Sequence, residues 1–350
     1  MKRAFIAALP FAIACTSIIG LPDLPDAANG PDVGGDVVGE ASSIDANGGD
    51  VVVVEGGDAS SDAGPQPVAI VTGQTSIHDL TVTGGNVYFT IHAQPGQVRS
   101  CPTSGCGANP TLFAGLQDYA YAITNDGTNV YWTCNGGNVM KCATTCTTPV
   151  ILASGQGGQG IAVDTSTVYW TNGGSSAPVM KCAKAGCSKT PTTITTGQGY
   201  PAGIVSDGTI VAWANGDGSI KTCPANFTCT TPSVIATTQQ SPWGIAMDSN
   251  YIYWTNDVPN GTVMRCPKSG SCPNPTILAS NQQYPAGITT DGVDVYWANG
   301  GGTIMKCSTG GCNSQPTTLA TGQLQASGIA IDATTVYWTT QDAVMKLTPR

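Results

Sequence analysis

One short phrase, Val-Tyr-Trp-Thr, returns seven times along this chain, either in full or with one or two residues changed. Its second position falls at Tyr88, Tyr131, Tyr169, Ala212, Tyr253, Tyr296 and Tyr337. Successive copies lie 38 to 43 residues apart. A regular period of about 40 residues indicates that one structural unit is repeated, and that each unit buries its apolar face against its neighbours.

Each unit has the pattern of four short strands separated by turns. In the third unit we expect strands at Gly160–Asp164, Thr167–Asn172, Val179–Cys182 and Thr192–Thr196. β-Branched and aromatic residues fill these runs, whereas Gly, Asn, Ser and Pro fill the gaps. No segment shows the 3.6-residue apolar period of a helix. We therefore predict an all-β protein, a β-propeller of seven four-stranded blades.

The last unit lacks a fourth strand of its own. It contains the predicted strands Gly328–Asp332, Thr335–Thr339 and Ala343–Leu347, and no fourth strand follows them. Residues 67–74 have the pattern of a fourth strand such as Pro316–Gln323. We predict that this N-terminal strand completes the last blade, because closing the ring hides two exposed strand edges.

Three copies of the phrase continue into Asn: Tyr169-Trp170-Thr171-Asn172, Tyr253-Trp254-Thr255-Asn256 and Tyr296-Trp297-Ala298-Asn299. These copies resemble the YWTD repeat of propellers of the low-density-lipoprotein-receptor type. The resemblance covers residues 67–350 and implies a propeller that binds other proteins outside cells, with no catalytic residue carried over. The sequence departs from the family because Asn or another residue replaces its Asp, and because six blades are usual there. Six blades are therefore the alternative count.

Residues 1–14 have the pattern of an export signal. Lys2-Arg3 precedes a short apolar run, and Ala12-Ile13-Ala14 is a suitable cleavage site. Cys15 would then begin the mature chain, an arrangement that resembles the lipobox of bacterial lipoproteins, and we expect Cys15 to carry a lipid. The expected location is the outer membrane or cell surface, with secretion or the periplasm as the alternative.

Residues 15–66 form a region of different composition, and the propeller is expected to occupy residues 67–350. Residues 16–66 contain ten acids and no Lys, Arg or aromatic residue, which predicts a disordered, self-repelling linker. The 13 Lys and Arg residues of the chain form no cluster, which excludes nucleic-acid binding by phosphate neutralisation. No apolar run beyond residue 20 could span a membrane, so only a lipid would attach the protein to one. We expect a monomer.

Twelve of the 14 cysteines form six close pairs, one in each of the first six units. The pairs are Cys101/Cys106, Cys142/Cys146, Cys182/Cys187, Cys223/Cys229, Cys266/Cys272 and Cys307/Cys312. Each pair flanks the loop between the third and fourth strands, where antiparallel neighbours bring Cα atoms within disulfide reach. Zinc would require two pairs to converge, so we expect six disulfides, an oxidising compartment and no metal or cofactor. Cys134 is predicted to be a partly buried free thiol.

Candidates for catalysis are few. His78 and His92 are the only histidines of the chain, and residues 67–350 contain no Glu. We interpret both histidines as structural or surface residues and assign no catalytic residue. An Asp at the end of the first strand is expected to stabilise the following turn through its carboxylate in six units: these are Asp126, Asp164, Asp207, Asp248, Asp291 and Asp332.

The remaining signal lies in the loops that lead from one unit to the next and in those between the second and third strands. Both sets open on one face of a propeller, around its central channel. Aromatic rings and amides there suit a sugar or a loop of a partner protein, although the same rings could pack between blades. The predicted ligand-binding residues are Tyr119, Tyr121, Tyr200, Trp243, Tyr284, Asn172, Asn215, Asn256 and Asn299.

The sequence favours a non-catalytic, surface-anchored propeller that binds an extracellular or envelope protein or glycan. An exported hydrolase or lyase is the alternative, with Asp118, Asp217, Asp257 or Asp342 at the channel mouth. A structural envelope spacer without a specific ligand is the third possibility.

Overall fold

The structure is a computed structural model that describes residues 64–145 and 147–350. The predicted signal segment, Cys15 and the linker up to residue 63 lie outside these residues. All regular elements of the described part are β-strands, 28 in number. It contains no helix long and apolar enough to cross a membrane.

The strands form seven antiparallel sheets of four, which are the seven blades predicted from the repeat. Blade 1 consists of β2 (Ile77–Thr83), β3 (Asn86–Ile91), β4 (Gly96–Pro102) and β5 (Thr111–Gln117). Blade 2 consists of β6 (Ala120–Asn125), β7 (Asn129–Cys134), β8 (Asn138–Ala143) and β9 (Val150–Ser154). Blade 3 consists of β10 (Gly158–Val163), β11 (Thr167–Asn172), β12 (Ala177–Ala183) and β13 (Thr192–Gln198). Blade 4 consists of β14 (Pro201–Ser206), β15 (Ile210–Asn215), β16 (Ile220–Pro224) and β17 (Ser233–Ala236). Blade 5 consists of β18 (Pro242–Met247), β19 (Tyr251–Asn256), β20 (Gly261–Pro267) and β21 (Thr276–Gln282). Blade 6 consists of β22 (Pro285–Thr290), β23 (Asp294–Asn299), β24 (Thr303–Ser308) and β25 (Thr317–Ala320). Blade 7 combines β26 (Ile329–Ile331), β27 (Val336–Thr339) and β28 (Val344–Leu347) with β1 (Val68–Val71).

The ring closes through pairing between the two ends of the described chain. Strand β1 lies antiparallel to β28, with Val68 opposite Lys346 and Val71 opposite Val344. This strand is the fourth and outermost strand of blade 7, as predicted. It pairs with the edge of β28 that would otherwise face solvent.

The core consists of the interfaces between neighbouring blades. The repeated tryptophan belongs to the apolar cluster of six of them, and Phe89 takes its place between blades 7 and 1. Trp254 of blade 5, for example, belongs to one apolar cluster with Ile235 and Ala236 of blade 4. The six tryptophans of the repeat have no exposed surface: Trp132, Trp170, Trp213, Trp254, Trp297 and Trp338. Because each ring packs against the preceding blade, the phrase recurs wherever a blade joins its neighbour.

The threonine of the phrase connects the inner strands of adjacent blades. The Thr255 hydroxyl accepts the Gly244 N–H of its own blade at 3.0 Å and donates to the Ala286 carbonyl of the next blade at 2.8 Å. Thr171 makes the same two contacts, with Gly160 and Ala202. A buried hydroxyl thus satisfies two backbone groups that face the crowded centre of the ring.

The repeated aspartates act as the turn prediction requires. Oδ1 of Asp164 accepts the backbone N–H groups of Ser166 and Thr167, both at 2.8 Å, while Oδ2 accepts the hydroxyl of Tyr169 at 2.7 Å. The backbone contacts recur at all six predicted positions, from Asp126 to Asp332. The tyrosine of the phrase donates its hydroxyl to the turn aspartate in five of these six units, and blade 4, which has Ala212, is the exception.

Five of the six predicted disulfides are present in the described residues. They join Cys101 to Cys106, Cys182 to Cys187, Cys223 to Cys229, Cys266 to Cys272 and Cys307 to Cys312. The sixth predicted pair includes Cys146, which lies outside the described residues. Cys134 is a free and buried thiol, as expected, and burial raises its pKa to about 12. Its thiol form persists at neutral pH, so it is a poor nucleophile.

Candidate ligand-binding face and central channel

The predicted asparagines lie inside a clamp between blades. In blade 6, the indole N–H of Trp297 and the amide of Asn299 both donate to Oε1 of Gln282, at 3.0 and 2.9 Å. Gln282 belongs to the preceding blade, so this contact fixes one blade to the next. A glutamine accepts the tryptophan N–H in the same way in five further blades, through Gln117, Gln156, Gln198, Gln239 and Gln323.

The other predicted asparagines use the same acceptor. Asn172, Asn215 and Asn256 donate to Oε1 of the clamp glutamine, at 3.0, 3.5 and 3.2 Å respectively. Asn215, Asn256 and Asn299 are buried. Cys134 occupies the equivalent position in blade 2, with its Sγ 3.7 Å from Oε1 of Gln117. These amides hold the ring together, and they are not displayed on its outer face with the tyrosines.

Three of the predicted tyrosines are exposed on the loop face and have an unusual backbone conformation. Tyr119, Tyr200 and Tyr284 are 38%, 62% and 49% exposed, and their φ angles are +53°, +54° and +53°. The backbone needs this left-handed conformation because it connects two blades. The Tyr200 N–H donates to the Gly174 carbonyl of blade 3, and its carbonyl accepts the Gly216 N–H of blade 4.

The same connection is made without a tyrosine elsewhere in the ring. Ser76, Ser241 and Gln325 hold the equivalent position of blades 1, 5 and 7 with φ angles of +59°, +51° and +59°, and Gly157 holds that of blade 3. The tyrosines therefore belong to blades 2, 4 and 6, so they alternate around the channel mouth. In blade 5 this position is held by Ser241 and not by the predicted Trp243.

Trp243 lies two residues further along, within the inner strand β18. With Tyr121 it lines a central cavity of about 360 Å³ that is bordered by the inner strands of all seven blades. Their position in the repeat lines the cavity in every blade except blade 6, where the following Gly287 does so. It is occupied in chain order by His78, Tyr121, Gln159, Ala202, Trp243, Ala286 and Ser327.

The next position along the inner strands is glycine in blades 3 to 7. A Cβ atom added to Gly244 would lie 2.3 Å from the Ala286 carbonyl oxygen, and one added to Gly287 would lie 2.3 Å from that of Ser327. Neighbouring strands therefore approach too closely here for a side chain. Blade 1 has Asp79 instead, whose Oδ2 accepts the Ile123 N–H of blade 2 at 3.0 Å. Burial raises the pKa of Asp79 to about 6.

Both histidines belong to an aromatic cluster at the same side of the channel. The His78 ring lies 3.8 Å from that of Tyr121 and 5.6 Å from that of His92, and the His92 ring lies 5.3 Å from that of Tyr119. Burial, followed by repulsion from His92, lowers the pKa of His78 to about 4, so His78 is neutral at neutral pH. Nδ1 of each imidazole is buried and has no hydrogen-bond partner among the described residues.

Sequence reasoning considered each histidine alone and did not find this cluster. The available signal was that Asp79 departs from the Ala or Gly that the other units carry at its position, directly after His78. The four aspartates of the enzyme alternative, Asp118, Asp217, Asp257 and Asp342, belong to the mouth loops of different blades. The described residues contain no group of three His, Cys, Asp or Glu side chains that could hold a metal ion.

Comparisons with known proteins support the architecture. No family model matches the chain, and no curated protein matches it. Among solved structures, the chain is similar to one in a nidogen/laminin complex, with 21% identity, a TM-score of 0.50, and coverage of 61% of this chain and 85% of that one.

Two other propeller-like neighbours cover more of the chain. One is a catalytically inactive virginiamycin B lyase from Staphylococcus aureus in a structure with quinupristin, with 16% identity, a TM-score of 0.65, and coverage of 81% of this chain and 98% of that one. Another is the WD40 repeat domain of RRP9, with 13% identity, a TM-score of 0.66, and coverage of 82% and 99%. At these identities the likeness concerns the fold alone.

Proposed function

We propose that this chain is a non-catalytic, exported propeller that binds a protein or a glycan through its mouth face. The mouth face is defined here by Tyr119, Tyr200 and Tyr284 and the loops that carry them. The observation that carries the proposal is that three aromatic side chains occupy a left-handed backbone position that Ser76, Ser241 and Gln325 occupy elsewhere in the ring.

The left-handed backbone at these tyrosines costs free energy that their side chains recover only in part. A left-handed conformation costs a non-glycine residue about 1–2 kcal/mol. Apart from the Tyr119 hydroxyl, which donates to Oε1 of Gln94, the hydrogen bonds between blades at this position use backbone atoms. Tyr200 is 62% and Tyr284 49% exposed, so burial offsets little of that strain for these two, whereas the less exposed Tyr119 ring also contacts His92. A side chain that costs stability and packs against little is best explained by a contact outside the molecule.

The arrangement of the tyrosines favours a broad ligand. Because they alternate around the mouth, a partner that contacts all three must cover the channel entrance rather than enter one groove. Exposed tyrosines combine a large rigid surface with a hydroxyl that can donate or accept, and they are enriched where proteins bind partners. A folded protein domain or a polysaccharide chain has the necessary extent.

The place of action follows from the disulfides and from the N-terminal pattern. Five disulfides in the described residues fit an extracellular or otherwise oxidising compartment. A lipid on Cys15 would hold the propeller at the membrane surface, with residues 16–66 as spacer. Kinship with YWTD propellers, suggested by the repeated phrase and by the nidogen/laminin neighbour, supports an extracellular binding role.

The test compares the unaltered propeller with a variant in which serine, the residue at two of the equivalent positions, replaces the three tyrosines. In the triple variant Tyr119→Ser, Tyr200→Ser and Tyr284→Ser, each tyrosine becomes the residue present at positions 76 and 241. Val293→Ser is the matched control, because Val293 is 69% exposed and lies in a turn at the opposite end of the blades. All three proteins are tested on a glycan array and against purified envelope proteins.

We expect the unaltered and control proteins to bind the same ligand and the triple variant to bind it at least tenfold more weakly. Equal binding by all three would exclude the mouth face as the binding surface. Binding by none would support the spacer interpretation. Turnover of a bound glycan or peptide would instead support the hydrolase or lyase alternative, for which the pKa of Asp257, raised by burial to about 6, is the favouring observation.

A further inference from the structure

The channel wall does not follow the repeat at its channel-facing position, where four of the seven blades carry a residue larger than alanine or serine. A repeat protein uses the same residues in every unit wherever they maintain the ring, so a departure is free to serve another purpose. At the channel-facing position blades 4, 6 and 7 have Ala202, Ala286 and Ser327, but blade 5 has Trp243 and blade 2 has Tyr121. Trp243 is the single tryptophan of the chain outside the repeated phrase.

Charge in the cavity is also confined to one place. Among the described residues that line it, Asp79 is the one acid and none is Lys or Arg. The neighbouring His78 is neutral at neutral pH. The Asp79 carboxylate accepts the backbone N–H groups of Leu80 and Ile123, at 2.8 and 3.0 Å, but the lining contains no cation that could neutralise it.

We propose that the central channel binds a small organic cation, a primary or quaternary ammonium group, with Asp79 as the counter-ion and Trp243 and Tyr121 as aromatic walls. The face of an aromatic ring attracts a cation, and the attraction strengthens where water is excluded. A cavity of about 360 Å³ falls in the range of about 300–1,000 Å³ typical of small-molecule sites.

An ammonium group fits this lining better than a neutral sugar does. Nδ1 of His78, which lines the cavity, is buried without a hydrogen-bond partner among the described residues, and Asp79 is an acceptor that carries charge. A primary ammonium can donate N–H groups to these atoms, whereas a quaternary ammonium has no N–H group and is attracted by the charge of Asp79 and by the aromatic faces. A sugar stacked on Trp243 would also require polar side chains beside that ring, and the adjacent blades 4 and 6 offer only Ala202 and Ala286 at that level.

The structure supplies a specific reporter for the experiment. The other six tryptophans have no exposed surface, so a ligand that enters the channel alters chiefly the fluorescence of Trp243. The probes are tetramethylammonium, n-butylammonium and, as a neutral control, methyl glucoside. Affinities are measured by fluorescence titration and by isothermal titration calorimetry on the unaltered propeller.

Three variants test the charge of Asp79, the aromatic wall of Trp243 and, as a control, an exposed acid outside the cavity. Asp79→Asn removes the charge but keeps an oxygen for the backbone of Ile123, and Trp243→Ala introduces the residue of blades 4 and 6. Asp342→Asn removes an exposed acid from a mouth loop outside the cavity lining and is the matched control. Melting temperatures establish that each variant is folded, and Asp79→Gly, the residue of blades 3 to 7, is available if Asp79→Asn is not.

We expect at least one ammonium probe to bind the unaltered protein and Asp342→Asn equally, and to bind Asp79→Asn at least tenfold more weakly. Calorimetry with Trp243→Ala should show a similar loss. Binding of methyl glucoside without the cations would overturn the proposal in favour of a sugar site. Absence of all binding, or equal binding by Asp79→Asn, would also overturn it. None of these outcomes depends on the tyrosines of the mouth face.

Discussion

Replacing Gln282 by methionine should remove one clamp between blades 5 and 6 without changing the size of the side chain. In the native structure Oε1 of Gln282 accepts from Trp297 and Asn299. Methionine cannot accept these bonds effectively, so two buried donors lose their partner. Each such loss costs about 1–3 kcal/mol, which gives about 2–6 kcal/mol for the pair.

The matched control is Gln74→Met, because the clamp is incomplete at that position. Blade 1 has Phe89 and Ile91 in place of the tryptophan and asparagine, so Gln74 has neither donor to hold. The Nε2 group of Gln74 bonds to the carbonyl two residues earlier, as that of Gln282 does. The two substitutions therefore remove the same local bond and differ in the clamp.

Thermal unfolding followed by circular dichroism measures both variants. A change of 1 kcal/mol shifts the melting temperature by about 2–4 °C in domains of 150–250 residues. We expect Gln282→Met to lower it by at least about 4 °C and Gln74→Met to lower it by less than half as much. Equal effects would refute the assignment of the asparagine and tryptophan contacts as the connection between blades.

Three further predictions concern the ring, the channel and the cysteines. Removal of residues 64–74 deletes β1, so residues 75–350 should melt at a lower temperature than residues 64–350 and aggregate through the open edge of blade 7; equal melting would refute the closure. Trp243→Ala should leave the melting temperature within about 2 °C of the native value, since alanine already serves in two blades, and a larger fall would identify Trp243 as core. Thiol labelling of unfolded, unreduced residues 64–350 should modify Cys134 alone, and labelling of several cysteines would contradict the disulfide assignment.

The fold was predictable because its determinants repeat. The tyrosine that meets the turn aspartate, the buried tryptophan and the threonine between inner strands serve the same purpose in successive blades, so their spacing reveals the unit. Closure was predictable for a related reason, since the missing fourth strand of blade 7 has the same pattern as residues 67–74.

The binding residues were harder to predict because they interrupt the repeat. Trp243 was grouped with Tyr200 and Tyr284 in the predicted loop face. The prolines that begin β14, β18 and β22 instead show that Ser241 is the residue equivalent to those tyrosines. Alignment on proline would have placed Trp243 in the channel. The asparagines could not be assigned from their own blade, because the glutamine that binds them belongs to the preceding one.

The melting temperature of the triple variant Tyr119→Gly, Tyr200→Gly and Tyr284→Gly tests most directly whether the tyrosines serve a ligand or the ring. Glycine adopts the required positive φ without strain, and this gain roughly offsets its greater freedom in the unfolded chain. The account predicts that the variant melts at the native temperature or a few degrees above it. A clear fall in melting temperature would show that the tyrosine rings stabilise the propeller, and would contradict the assignment of the mouth face as a binding surface.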